Sequence, residues 1–284
     1  MPELPEVETV CRALRSGGRD APPIIGWQLK KADIFWAKTL AEQSPEEFSR
    51  KISGQKVEDV FRRGKFIILQ LIQNFLVVHL RMSGDLRVEP DDKELLKHDR
   101  LIIWFEQGYH LAFNDPRKFG RIWLYQNIDE LSARLGPEPL EIKSSDEFYQ
   151  RLVRRKRQLK PLLMDQKFLS GMGNIYTDEA LHIAGLHPLM NSADITPEQA
   201  KKLLSAIQQV LQTGIKRNGA SIDWMYRGGS FQNEFRVYGR SGQPCPICGT
   251  LIKKITVGQR GTHFCSTCQP IPQSLQLKEM ERKL

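Results

Sequence analysis

Ahead of Gly136 the apolar residues fall in short, evenly spaced blocks. These are Phe66–Leu71, Phe75–Leu80, Leu101–Phe105, Tyr109–Phe113 and Arg121–Tyr125. Turn-forming residues separate them: Gln73-Asn74, Ser83-Gly84, Gln107-Gly108 and Asn114-Asp115-Pro116. Blocks of this length between such turns predict an antiparallel β-sandwich. A helix is expected before them, because Val7, Val10, Cys11 and Leu14 share one helical face. Pro5 suits its first turn, and Glu6 and Glu8 favour the positive end of its dipole. Gly136-Pro137-Glu138-Pro139 then interrupts regular structure. Beyond it the period becomes helical, with helices expected over Ser145–Arg157, Lys160–Phe168 and Asn174–Ala184. Thr196-Pro197-Glu198-Gln199 has the form of a capping box. Leu203, Leu204, Ile207, Val210, Leu211 and Ile215 follow it at helical spacing. The fold class expected is α+β: an N-terminal antiparallel β-sandwich flanked by helices, followed by a C-terminal helical domain and a cysteine-bearing hairpin. The boundaries read 2–135 for the sandwich, 136–150 for a linker, 151–235 for the helical domain, 236–269 for the cysteine module and 270–284 for a tail. No internal repeat is present.

The 284 residues suffice for two domains, and the balance of 40% hydrophobic to 26% charged residues is that of a globular chain. The net charge of +9 favours a polyanionic partner, of which nucleic acid is the commonest. No apolar run approaches the ~18 residues that span a bilayer. Met1 to Thr9 carry three glutamates and no basic residue, unlike the start of a signal peptide. A cytosolic location is therefore expected. Cys11 stands alone and is expected to pack as a small apolar residue.

The other four cysteines form two pairs, Cys245-Pro-Ile-Cys248 and Cys265-Ser-Thr-Cys268, with sixteen residues between them. In a reducing compartment such pairs read as metal ligands, and four thiolates at this spacing close a tetrahedral zinc site. With every position filled by protein, the single Zn2+ is expected to be structural. From Ser241 to Cys268 there is no acidic residue, whereas Lys253, Lys254 and Arg260 are present. One sign of charge on a rigid tip suits phosphate contact.

Pro2 is the other chemical candidate. Loss of Met1 would leave its secondary amine as the chain terminus. An α-amino group titrates near pH ~8, so part of it is neutral at pH 7 and nucleophilic toward a sugar carbon. Glu3 beside it is placed to move protons. A plain helix start with favourable glutamates would look the same.

Met1-Pro-Glu-Leu-Pro-Glu-Val-Glu-Thr9 resembles the N-terminus of formamidopyrimidine-DNA glycosylases, bacterial 8-oxoguanine glycosylase/AP lyases. The resemblance continues through Arg62-Arg63-Gly64-Lys65, His79–Gly84, Asn114–Gly120, Gly136–Leu140, Gly171–Tyr176, Val237–Arg240 and the four cysteines, almost the full chain. It implies base-excision repair of damaged double-stranded DNA by a monomer in the bacterial cytosol. Oxidised purines are removed, and the backbone is nicked by β,δ-elimination through a Schiff base on Pro2. It implies catalytic roles for Pro2, Glu3, Lys65 and Arg260, with Glu6 in support. It makes Met82, Arg117 and Phe119 the residues that fill the void left by an everted base. His98, Arg117, Lys160, Asn174 and Tyr238 become DNA contacts, and Lys160–Glu179 a helix–two-turn–helix. Asn174 would open a helix whose free N–H groups meet phosphate. Arg154–Arg157 reads as a solvated helix face. The stretch Asn218 to Phe231 stands where the family has a loop closing over the base, yet Asp223-Trp-Met-Tyr226 departs from such loops and looks shorter.

Three other readings share parts of this pattern. An endonuclease VIII-type glycosylase for oxidised pyrimidines normally begins Pro-Glu-Gly-Pro-Glu, and Leu4 and the three void-filling residues stand against it. A non-catalytic, damage-binding zinc protein would result if Met1 is retained. A zinc-ribbon transcription factor accounts for the cysteines but not for the N-terminus.

Overall fold

The computed structural model describes residues 1–18, 20–221 and 228–272. The chain packs as two compact units. One comprises Met1–Arg134 with Asn218–Gly229, the other Leu135–Arg217 with Ser230–Leu284. The tail residues 273–284 and the Asp223–Tyr226 segment lie outside the described residues.

The first unit begins with α1 (Leu4–Ser16), which buries Val7, Val10, Cys11 and Leu14 along the predicted face. After β1 (Leu29–Ile34) comes α2 (Pro45–Ile52), whose N-cap Ser44 accepts the Glu47 N–H. Then come β2 (Val57–Arg63), β3 (Phe66–Leu71), β4 (Phe75–His79), β5 (Asp85–Pro90), β6 (Asp99–Phe105), β7 (Tyr109–Asn114) and β8 (Arg121–Tyr125), closed by the short α3 (Asp129–Ser132). The strands form two antiparallel sheets, ordered β1-β6-β7-β5 and β2-β3-β4-β8. Leu69, Leu76 and Val78 of one sheet share a core with Leu101, Ile103 and Phe113 of the other, so the sheets face each other as the expected sandwich.

Three of these strands, β1, β2 and β5, are absent from the apolar pattern. Bulges explain two. The register of β1 shifts between Leu29 and Lys31, and that of β2 between Val57 and Asp59. Their buried residues, Leu29 and Ala32, then Val57 and Val60, are therefore spaced by three rather than two. The third, β5, is an edge strand whose Arg87 and Glu89 pair with one another at 3.2 Å.

The second unit holds α4 (Ser145–Val153), α5 (Leu159–Leu163), α6 (Asn174–Ala184), α7 (Pro197–Lys216), and the hairpin of β9 (Lys253–Val257) and β10 (Arg260–Phe264). Two helices are shorter than expected. The first, α4, stops before Arg154–Arg157, where Lys156 has φ 48° and Arg157 pairs with Asp165 at 2.7 Å, so the basic run is an exposed turn. The second, α5, stops at Leu163 because Asp165 accepts the Lys167 N–H and makes a turn. Gln166 then ties the double turn together, donating to the Met164 and Met172 carbonyls and accepting the Gly171 N–H. By contrast, α7 opens with the predicted capping box of Thr196 and Gln199.

Candidate functional site

Pro2 is half-buried one residue before the N-cap of α1. Glu3 and Glu6, both buried, form the capping box, and the Glu3 N–H donates to Glu6 Oε2 at 2.7 Å. The other oxygen of Glu6 accepts the Ala220 N–H at 2.8 Å. Glu6 thus joins the start of the chain to the Gly219-Ala220 segment. Gly219 makes this approach possible: its φ is 79°, and a Cβ there would lie 2.7 Å from Glu6 Oε1. Lys65 is buried in the turn between β2 and β3, and Arg62 nearby bonds Glu8 at 3.2 Å and the Gly64 carbonyl at 2.9 Å.

Met82, Arg117 and Phe119 sit on two turns of the same unit and are exposed, Met82 by 40% and Phe119 by 47%, which excludes a core-packing role for those two. Arg117 stacks over the Phe119 ring at 4.8 Å. Lys118, in the left-handed region at φ 59°, stacks on Trp36 at 3.9 Å. Buried Asp115 ties the two turns together. It accepts from Ser83 Oγ at 2.5 Å, the Arg117 N–H at 3.2 Å and the Gly120 N–H at 2.7 Å. Its own N–H donates to the His98 carbonyl, and the His98 ring meets Arg100 at 3.2 Å.

The Met82 turn is also shaped from behind by His79, whose Nδ1 accepts the Arg81 N–H at 2.9 Å. Burial, then Arg81 and Lys65, push His79 down to about 3. An unfolded histidine titrates near pH ~6.5, so between ~6.5 and 3 the unfolded chain binds a proton that the native one does not. This contribution to stability is intact above that window and is lost as pH falls through it. Melting curves across that range should show a shallower acid slope for His79→Gln than for the parent. An unchanged slope would dissociate His79 from the acid response.

In the second unit Lys160 differs from expectation. It is not a surface cation: it is fully buried, paired with Asp178 at 2.6 Å and donating to the Gly261 carbonyl at 3.1 Å. Asn174 Nδ2 donates to the same carbonyl at 3.1 Å, and Asp178 also accepts the His263 N–H at 2.9 Å. These bonds hold the strand β10 at Gly261 and His263, next to the exposed Arg260. Gly258 and Gln259, with φ 54° and 62°, form the tight hairpin loop preceding it. Asn174 is the first residue of α6 and Gly173 its N-cap. Glu179, one turn further on, accepts the N–H groups of Arg236, Val237 and Tyr238 at 2.8 to 3.0 Å. Tyr238 packs its ring against Phe235 and His263.

The sulfurs of Cys245, Cys248, Cys265 and Cys268 all lie within 4.8 Å of one another. Individual separations of 3.4, 3.5 and 3.9 Å compare well with the ~3.8 Å edge of a tetrahedron built on Zn–S bonds of ~2.3 Å. The Ile247 and Cys268 N–H groups point at Cys245 Sγ and Cys265 Sγ, each at 3.5 Å. Gln269 closes this module: it is buried, accepts the Cys265 N–H and donates to the Leu186 carbonyl.

Residues 1–122 match the formamidopyrimidine-DNA glycosylase N-terminal domain, and residues 135–225 the H2TH domain of the same enzymes. The chain belongs to the formamidopyrimidine-DNA glycosylase family. Residues 242–271 match the zinc finger found in FPG and IleRS, and the four cysteines hold one structural zinc ion. The family's enzyme from Protochlamydia amoebophila is 42% identical over 95% of this chain and 99% of its own. That from Chloroflexus aurantiacus is 42% identical over 95% and 98%. Among solved structures, a complex of the Lactococcus lactis Fpg with DNA containing an abasic site superposes with a TM-score of 0.87 at 34% identity, covering 95% of this chain and all of that one. A complex of MutM with DNA containing carbocyclic 8-oxo-G gives 0.86 at 35%, with the same coverage. No described helix is long and apolar enough to cross a membrane.

Asp115, Asp178 and Glu179 organise these groups, and the sequence pattern alone does not mark them out. Asp115 lies inside the Asn114–Gly120 segment. The other two are adjacent acids on α6.

Proposed function

We propose that this chain excises oxidised purines such as 8-oxoguanine and formamidopyrimidines from double-stranded DNA and then nicks the strand. The observation that carries this reading is Pro2 at the head of α1 beside two buried carboxylates, Glu3 and Glu6. Once Met1 is removed, the Pro2 amine attacks C1′ and the base departs. Glu3 passes a proton to the ring oxygen, the sugar opens, and an iminium forms between Pro2 and C1′. The iminium acidifies the 2′ proton, so the C3′–O bond breaks first and the C5′–O bond second. Water then frees Pro2. Glu6 steadies the start of α1 against Ala220.

Met82, Phe119 and Arg117 occupy the place of the everted base, the first two by stacking and the arginine by hydrogen-bonding the orphaned partner. Lys65, His98, Asn174, Tyr238 and Arg260 meet the backbone. Lys160 acts through the Gly261 carbonyl next to Arg260. The zinc ion, when bound, supplies rigidity to the hairpin that carries Arg260. The protein works as a monomer in the bacterial cytoplasm.

Duplexes carrying 8-oxoguanine opposite C and thymine glycol opposite A separate this reading from its nearest rival. Faster cleavage of the 8-oxoguanine duplex is expected. A preference for thymine glycol would assign the chain an endonuclease VIII-type specificity instead.

A further inference from the structure

The zinc thiolates have a neighbour outside their own loops. His182, on α6, is buried and places Nε2 3.4 Å from Cys245 Sγ. A zinc-bound thiolate carries no proton. The hydrogen between these atoms must therefore sit on the ring, and the imidazole must donate. Its other nitrogen, Nδ1, is buried with no hydrogen-bond partner among the described residues, so Cys245 is the one polar group that accounts for the ring's orientation. We propose that His182 is an outer-sphere positioning residue of the zinc site, donating Nε2–H to the Cys245 thiolate and lowering its reactivity.

Four thiolates on one Zn2+ carry a net double negative charge. Each N–H directed at a sulfur draws off part of it and makes that sulfur a poorer nucleophile. Cys245 receives two such donors, the Ile247 amide at 3.5 Å and His182. The amide comes from the metal loop itself, as in any Cys-x-x-Cys turn. The imidazole comes from a helix sixty-three residues earlier in the chain. The same helix supplies Asp178 to the His263 N–H and Glu179 to the Arg236–Tyr238 amides. Of these three contacts, only the His182 contact touches the metal's own ligand. The inference rests on zinc occupancy of the four cysteines, which elemental analysis checks independently.

Zinc release from the full-length, zinc-loaded protein under an excess of iodoacetamide, read with a chromogenic chelator, tests it. His182→Phe fills the space without a donor and should release zinc about 10-fold faster than the parent. His182→Gln restores an N–H and should release it at a rate close to the parent's. An equal acceleration in both variants would assign His182 to packing alone and overturn the proposal, as would a folded His182→Phe protein that behaves like the parent. The parent protein loaded with 113Cd gives a second reading that needs no substitution. The Nε2 proton should be present and should show scalar coupling to the metal. An unprotonated Nε2 in the long-range 15N spectrum would overturn the proposal.

Discussion

Protein that keeps Met1, or carries any residue ahead of Pro2, is expected to form no borohydride-trapped adduct with abasic DNA and to leave the strand intact. The reason is electronic rather than steric. As a chain terminus, Pro2 is a secondary amine whose lone pair is available to C1′. Acylated by Met1, the same nitrogen belongs to an amide, and its lone pair is delocalised into the carbonyl. No rearrangement of Glu3 or Glu6 restores it. Lys65 enters the proposed scheme as a backbone contact and not as a second nucleophile. The loss should be confined to chemistry. Met82, Arg117 and Phe119 are held by Asp115, and Arg260 by the hairpin, and neither arrangement involves the amine. Extended and Met-free protein, distinguished by intact mass, should therefore bind the same duplex with similar affinity. Trapping by a protein proven to retain Met1 would transfer the nucleophile to another residue.

Lys160→Ala should cost about 3–5 kcal/mol of stability in the second unit, the range for breaking a buried ion pair and leaving Asp178 charged in the interior. The pair is fully buried at 2.6 Å, and Asp178 also anchors the His263 amide, so the loss falls on the start of β10. Lys160→Met with Asp178→Asn should recover part of it, since neither partner is then a stranded charge. The DNA readout separates positioning from contact. An exposed phosphate ligand that is removed lowers the salt dependence of binding by about one counterion, and Arg260→Ala should do so. Lys160→Met with Asp178→Asn should leave that slope unchanged while weakening binding. A fall in slope matching that of Arg260→Ala would return Lys160 to the DNA surface.

The contrast between these two residues shows which features are legible in a linear chain. The paired cysteines declare themselves because the two ligands of each pair lie within three positions of one another, whereas Pro2 and Glu3 stand out only through the resemblance of the whole N-terminal segment. Lys160 does not. Its partner Asp178 is on another helix, and the carbonyl it bonds belongs to Gly261, 101 positions away. A long cation in a basic chain reads as a surface group until those partners are in place. The strands follow the same logic. β3, β4, β6, β7 and β8 present apolar blocks, whereas the bulges in β1 and β2 replace the two-residue period with a spacing that imitates a helical turn. α4 and α5 end before the helical pattern does, because an Asx turn at Asp165 and a left-handed Lys156 depend on backbone geometry that helix propensity does not encode. Asp115 is visible within the Asn114–Gly120 segment, but only the folded chain shows that Ser83, from a different turn, converges on it.

Residues 218–221 leave the second half of the chain and pack with the first unit, where Ala220 meets Glu6. Modular inheritance is therefore restricted. A gene cut after Arg134 would encode a unit that has lost the partner of one of its buried carboxylates. Fusion of that fragment to an unrelated domain would carry the same defect. Recombination has no single breakpoint in this protein that delivers a finished first unit, because Gly219 and Ala220 lie beyond the whole helical stretch that separates them from Glu6.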